Sequence, residues 1–333
     1  MDSWDSDRTY QAVVQAFVDG DHLDCVDGPL DVRAVVAGIS TQAKDGFQLE
    51  EVPWERFPEG AGVRQEMESL RSGDTVRGGL SVLIGLCAND MRAAVALAVP
   101  FLIRVGTDPE AGRRAQALAV TAEAARMQHH GVCTRADMLR FRGEDEWFFE
   151  VTGYLQNWSV QAARDAIAAD TDLLMPLVDD PDPTVRIAAA YALAAASARA
   201  QTIMSAFQTR LLCEHDPAVR AGLVLAIAQL ARAHQDPDTV VWMQACWSNH
   251  AQPPEVRVSA ALGWMCLTDL PVPDELAALL DHLATPETAQ LVAPLPWLRA
   301  AEHAAGDGLQ RCLRTMLHPD TPDAEDRRND PWS

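Results

Sequence analysis

From Gly60 to Leu317 the apolar residues recur at helical spacing, and proline or glycine interrupts them roughly every 12 to 20 residues. No stretch alternates β-branched and polar residues between turn signals, so the pattern predicts helices and no sheet. Shorter helical patterns precede this region at Arg8 to Val18 and at Leu30 to Gly38.

The same local pattern returns along the chain. It reads Asp74-Thr75-Val76-Arg77, then Asp182-Pro183-Thr184-Val185-Arg186, Asp216-Pro217-Ala218-Val219-Arg220, and Pro254-Glu255-Val256-Arg257. The last three valines are 34 and 37 residues apart, and Val76 precedes Val185 by 109 residues, close to three periods. A degenerate copy fits between them, at Pro109 to Val120. Four positions after the valine stand Leu80, Ala189, Leu223 and Ala260. Eight after it stand Ile84, Leu193, Ile227 and Trp264, and eleven after it Cys87, Ala196, Leu230 and Leu267. These offsets form one helical stripe. Three after the valine the residue is small in every copy, Gly79, Ala188, Gly222 and Ser259, which lets a neighbouring helix approach.

Asp182 and Asp216 sit where an N-cap acceptor is wanted, and the following proline suits the first helical position. The recurring Arg77, Arg186, Arg220 and Arg257 are less comfortable, because a cation near a helix N-terminus opposes the macrodipole. A ladder of charge-assisted bonds from each arginine to a turn aspartate of its own or the adjacent unit accounts for them. Each of the later copies follows a partner helix, within Asp172–Asp179, Thr202–Cys213 and Pro237–Asn249. Stacked pairs with a period of about 36 residues make an α-solenoid.

The stretch Asp172 to Ala196 resembles the HEAT repeat: an apolar first helix with a proline, an acidic turn, then D-P-x-V-R-x-x-A-A-x-A-L, matched by Asp182 to Leu193. The copies at Asp216, Glu255 and Asp74 match more loosely. With degenerate units the resemblance covers roughly residues 60 to 316. It implies an all-α, HEAT-type α-α superhelix of about seven helix pairs. Residues 1–59 are then an N-terminal helical cap, 60–317 the solenoid and 318–333 a disordered tail. The resemblance is specific for architecture and implies a scaffold or adaptor. Uncharacterised bacterial HEAT-repeat proteins share a similar front segment, here Glu51-Val52-Pro53-Trp54-Glu55, and a later Val99-Pro100-Phe101-Leu102-Ile103. The preference for arginine over lysine, with Lys44 the sole lysine, points to a high-GC genome.

Composition narrows the function. The formal net charge of −21 opposes a nucleic-acid binder, which needs a basic footprint. Alanine occurs 54 times, as helices tolerate. The acidic start Met1 to Asp7 is no secretory signal, no long uncharged apolar run predicts a membrane span, and the seven scattered cysteines read as reduced thiols. Together these place the protein in the cytoplasm, with no membrane partner.

Enzymes with HEAT-like folds set requirements that the sequence does not meet. The deoxyhypusine hydroxylases carry His-Glu pairs, whereas Glu214-His215 and Glu302-His303 run in the reverse order. Alkylpurine glycosylases need a basic face, and nothing marks the bilin site of the phycobiliprotein lyases. His129-His130-Gly131-Val132-Cys133 reads first as a helix C-terminus with a glycine cap. No catalytic residue, metal site or cofactor is assigned. Two surfaces remain as partner sites. One is apolar area on the second helices beyond their stripe, at Tyr191, Leu225, Leu262 and Met265. The other is the aromatic cluster Trp147 to Trp158 beside the acidic run Glu144-Asp145-Glu146. The expected function is a non-enzymatic adaptor or inhibitor, with an immunity-type protein against a basic toxin as its specific form. Its acidic surface takes a protein with a basic surface. The alternative is an enzyme accessory or lyase-like catalyst using His129 to Cys133 and the nearby aromatics.

Overall fold

The computed structural model describes residues 31–72, 79–126, 135, 139, 148–283, 285–299, 309, 313 and 316–317. The calls on Arg77, Trp147 and the cluster His129–Cys133 lie outside the described residues, as do the N-terminal pattern 8–18 and the tail 318–333. The fold is all-α, of the HEAT-type solenoid class. Among the described residues the β-type pairing is limited to an isolated bridge between Phe149 and Leu155. The chain forms two compact units, Met1–Gln128 with Phe141–Arg199, and His129–Arg140 with Ala200–Ser333. Their boundary falls inside the stretch 60–317.

In the first unit, helices α1 (Val32–Gly38) and α2 (Thr41–Asp45) lead through short 3-10 turns at Leu49–Glu51 and Trp54–Arg56 into the stack. Next come α3 (Gly60–Ser72), α4 (Gly79–Ala88), α5 (Ala93–Thr107), α6 (Arg114–Ala124), α7 (Gln156–Ala169), α8 (Thr171–Leu174) and α9 (Pro183–Leu193). The first helices α3, α5 and α7 pack in that order, and so do the second helices α4, α6 and α9. Two parallel rows of this kind are what stacked helix pairs produce. Helix α6 occupies the place of the degenerate copy. Helix α5 is buried nearly all round, from Ala93 to Ile103 and at Gly106. A Cβ at Gly106 would fall 2.5 Å from Leu118 Cδ2, so α5 and α6 touch where there is no side chain. After α8 the chain continues as a 3-10 segment, Met175–Asp179, where Pro176 gives up a backbone donor, and this segment packs on α9. The front segment sits on α5 and α7, fixed by a bond from the Val32 amide to Tyr154 Oη at 3.0 Å.

In the second unit the pairs are α10 (Ala200–Leu211) with α11 (Pro217–His234), α12 (Pro237–Ser248) with α13 (Pro254–Leu267), and α14 (Asp274–Leu283) with α15 (Pro286–Val292). The short α16 (Pro296–Arg299) follows. Helix α11 packs on α13, and α15 reaches both. At the α11–α13 crossing a Cβ on Gly263 would lie 2.9 Å from the Cβ of Ala228 and 3.2 Å from Met243 Sδ.

The stripe is buried at Leu80, Ala189, Leu223, Ala260, Leu193, Ile227 and Trp264. It departs from expectation in α4. There the buried positions are Leu80, Leu83 and Cys87, while Ile84 is 37% and Val82 45% exposed. The small residues Ala188, Gly222 and Ser259 are buried as well.

Candidate protein-binding surfaces

Asp182 and Asp216 cap their helices. Asp182 accepts from the Thr184 amide and hydroxyl, both at 2.8 Å, and Asp216 from the Val219 amide at 3.0 Å. The Thr184 hydroxyl, then its amide, holds the Asp182 carboxyl below its ordinary pKa. Asp236 repeats the device ahead of α12, accepting from the Asp238 amide and the Thr239 hydroxyl.

The recurring arginines do something the sequence did not show. Arg186 donates to the carbonyls of Asp180 and Pro181, at 2.7 and 3.2 Å. Arg220 donates to those of Glu214 and His215, at 3.2 and 2.9 Å. Arg257 donates to that of Trp247 at 3.0 Å. Each guanidinium therefore satisfies carbonyls left over where the preceding segment ends. That resolves the conflict with the macrodipole: the cation serves the negative end of the segment before its own helix. The expected ladder to turn aspartates takes a different form. Arg220 bridges to Glu255 in the first turn of the next second helix, with Nε 2.8 Å from Oε1. In the first unit the corresponding rung starts from Arg114, which reaches Asp180 at 2.5 Å. Arg114 sits in the degenerate copy, where no Val-Arg pair marks it.

The apolar groove expected on the second helices is not open, which corrects that reading. Tyr191 is 5% exposed, Leu262 1%, and Leu225 and Met265 are fully buried. In the first unit Arg126 covers Tyr191: its guanidinium lies 3.6 Å from the ring centroid, and Nη2 donates to the Tyr191 carbonyl at 2.5 Å. In the second unit α15 packs against both α11 and α13, and Trp297 donates to Gln229 of α11 at 2.9 Å in a buried bond. The all-round apolar character of these helices is the mark of burial.

Trp158 is half-buried. The Arg33 guanidinium stacks 4.6 Å from its ring centroid, and Tyr154 meets it edge-on at 6.3 Å. Tyr154 in turn meets Phe57 at 5.9 Å. These aromatics fasten the front segment to α7, so Trp158 does not stand free as a hot spot.

Beside them lies a buried polar cluster that no motif announced. Glu150 Oε1 accepts from the Arg92 amide at 3.0 Å and the Ser159 hydroxyl at 2.8 Å, which places a carboxylate at the start of α5. Burial raises the Glu150 pKa to about 7 against these bonds. The fully buried Arg92 donates to Asp90 at 2.6 Å and to the Arg126 carbonyl at 3.0 Å. Arg164 donates to the Ala125 carbonyl, so arginines gather at the C-terminal end of α6. The thiol of Cys87 is pushed up to about 12 by burial, the opposite of what a nucleophile needs. Among the described residues no group of three or more His, Cys, Asp and Glu is placed to hold a metal, and no helix is long and apolar enough to cross a membrane.

Charge is distributed unevenly. From Ala233 to Leu298 the sequence has eight acids and one basic residue, Arg257. Arg257 is 8% exposed and bonded inside its own pair. Glu255 is buried against Arg220. Asp238, Asp269, Asp274, Glu275, Asp281 and Glu287 are exposed, and none of the six makes an ion pair among the described residues. Counting charge segment by segment would have shown this from the sequence.

Neither the curated proteins nor the solved structures gave a match to the chain. The HEAT repeat family matches residues 171–198, which span α8, the 3-10 segment Met175–Asp179 and α9. In that stretch the 3-10 segment packs on α9, which Asp182 caps and Arg186 clamps to the preceding turn. The chain carries a HEAT repeat at residues 171–198 within an all-α fold of the HEAT-type solenoid class.

Proposed function

We propose that the protein is a non-enzymatic scaffold, an adaptor or inhibitor, that binds a partner protein through its acidic exterior. HEAT repeats suggest protein interaction as the general role. The observation that carries the finer reading is the net charge of −21 together with the six exposed acids between Ala233 and Leu298 that make no ion pair among the described residues. The burial of Tyr191, Leu225, Leu262 and Met265 supports carboxylates rather than an apolar groove as the recognition chemistry. A field of this sign accelerates encounter with a basic protein and disfavours acidic ones. An immunity-type inhibitor of a basic toxin is the most specific form of this reading, and its setting is the cytoplasm. Affinity capture from the source lysate at low and high salt tests it. The expected result is a basic protein released as salt rises. Retention of acidic proteins alone, or of partners indifferent to salt, rejects the reading.

A further inference from the structure

Helix α4 ends the row of second helices α4, α6 and α9, and an end unit needs a polar outer face. Its own is apolar. From Gly79 to Ala88 the helix has no charged residue, where soluble helices ordinarily put charge on the solvent side. Leu80, Leu83 and Cys87 form the buried side. The other side carries Ser81, Val82, Gly85 and Leu86, with Ile84 at its edge. Val82 is 45% exposed, and a Cβ at Gly85 would meet nothing within 4 Å. These positions share one helix and therefore one surface. The end of the first-helix row is covered, because the 3-10 turns Leu49–Glu51 and Trp54–Arg56 pack on α3.

The chain has a segment that fits this face. Residues Arg8 to Val18, outside the described residues, place Tyr10, Val13, Val14 and Phe17 at offsets 0, 3, 4 and 7. In a helix these four make one uncharged apolar stripe, and Arg8, Gln11 and Gln15 fall on the opposite side. Asp7 suits the N-cap of such a helix and Gly20 its C-terminal cap. The segment is also within reach. The Val32 amide is held on Tyr154 Oη at 3.0 Å. Glu150, whose amide donates to the Tyr154 carbonyl at 2.7 Å, accepts from the Arg92 amide at 3.0 Å. Arg92 stands four residues beyond the end of α4. Residues 19–30 extend to roughly 40 Å, enough to follow this chain of bonds back to α4.

We propose that residues 8–18 form a helix that docks on the outer face of α4 and caps the row of second helices. Tyr10, Val13, Val14 and Phe17 would cover Val82, Ile84, Gly85 and Leu86, leaving Arg8, Gln11 and Gln15 to water. Two arguments favour this occupant over a second copy of the chain. A tethered segment is present at high effective concentration, whereas a second copy must lose translational and rotational freedom to bind. Two copies also repel through a net charge of −21 each, while the segment's stripe and the α4 face are both uncharged. The proposal stands apart from the acidic-recognition reading, since it adds a contact within the chain and no partner.

The test follows amide exchange of the full chain by mass spectrometry at several protein concentrations, with sedimentation giving the oligomeric state. The expected result is a monomer in which residues 8–18 are protected at every concentration. Val13→Ser with Phe17→Ser should speed exchange both in residues 8–18 and in α4, by about tenfold. Val82→Asp puts a charge on an exposed position, which an open face tolerates, and should speed exchange in the same two segments. Combining the two changes should add little, because each removes the same contact. Residues 8–18 exchanging as an unprotected chain overturn the proposal. Protection of 8–18 that Val82→Asp leaves unchanged puts the segment elsewhere and overturns it too. Protection that grows with concentration in step with a dimer assigns the α4 face to a second copy and overturns the contact within the chain.

Discussion

The first unit and the 233–298 flank of the second handle charge in opposite ways. In the first unit several cations are buried or paired along the stack. Arg114 meets Asp180, Arg104 meets Asp170 and Asp45, Arg199 meets Asp172, and Arg92 and Arg126 are buried at the end of α6. On the flank the single basic residue is buried, and six exposed carboxylates make no ion pair among the described residues. The same repeat thus supports two uses of charge. Where arginine and carboxylate sit in consecutive units, the pair fixes register between units. Where the arginines are missing, the acids repel one another and are free for something else.

The largest expected effect tests the buried side of this contrast. Arg126→Ala removes the cation over Tyr191 and the guanidinium bonds to the Ala122 and Tyr191 carbonyls. The loss should be on the order of 3 kcal/mol, read by urea unfolding, with amide exchange accelerated in α6 and α9. A variant as stable as the parent would show that the arginine cluster is not structural.

Glu150 gives a pH-dependent version. Its folded pKa of about 7 lies above the ordinary value of 4.5, so between these values the folded chain holds a proton that the unfolded chain has lost. Stability should therefore fall as pH rises through this window, by up to about 3 kcal/mol. Glu150→Gln should flatten that slope and stabilise the protein at pH 8. A slope unchanged in the variant would place the titration elsewhere.

A smaller effect is expected at the rung of the second unit. Arg220→Ala takes the guanidinium away from the buried Glu255 carboxylate and removes its two bonds to the carbonyls of Glu214 and His215, and should cost about 2 kcal/mol. Arg220→Ala with Glu255→Gln should recover part of it, as a double-mutant cycle would measure. Additive losses would mean the two residues act separately.

The smallest effect separates the two regions directly. Added salt screens repulsion among the unpaired acids of α12 to α15 and weakens the pairs of the first unit. Amide exchange resolved by helix should slow slightly on the flank and quicken slightly around Arg104 and Arg114, each by less than about 1 kcal/mol. Equal shifts in both regions would erase the distinction.

The repeat was legible because its physics is local. A cap at Asp182 or Asp216, a proline at the first helical position and apolar offsets of four and eight need only neighbours along the chain. The candidate sites were less legible because they depend on what lies across the stack. Tyr191, Leu225, Leu262 and Met265 looked like a groove, since apolar side chains beyond the stripe read the same whether solvent or another helix faces them. Trp158 looked like a hot spot until Arg33 and Tyr154 were found on it. Ile84 followed the stripe in sequence, yet α4 buries Leu83 in its place.

The sequence by itself determined the helices, their pairing and the period of the stack, because caps, turn residues and periodicity are properties of segments shorter than one repeat. It also contained the net charge of −21 and the excess of eight acids over a single arginine between Ala233 and Leu298. Only the tertiary structure decided where each charged group spends its bonds. Arg186, Arg220 and Arg257 turned from a ladder of ion pairs into clamps on backbone carbonyls, and Glu150 came to rest against Arg92 from 58 residues away. Long flexible side chains choose among partners by distance in space, and that distance is set by packing.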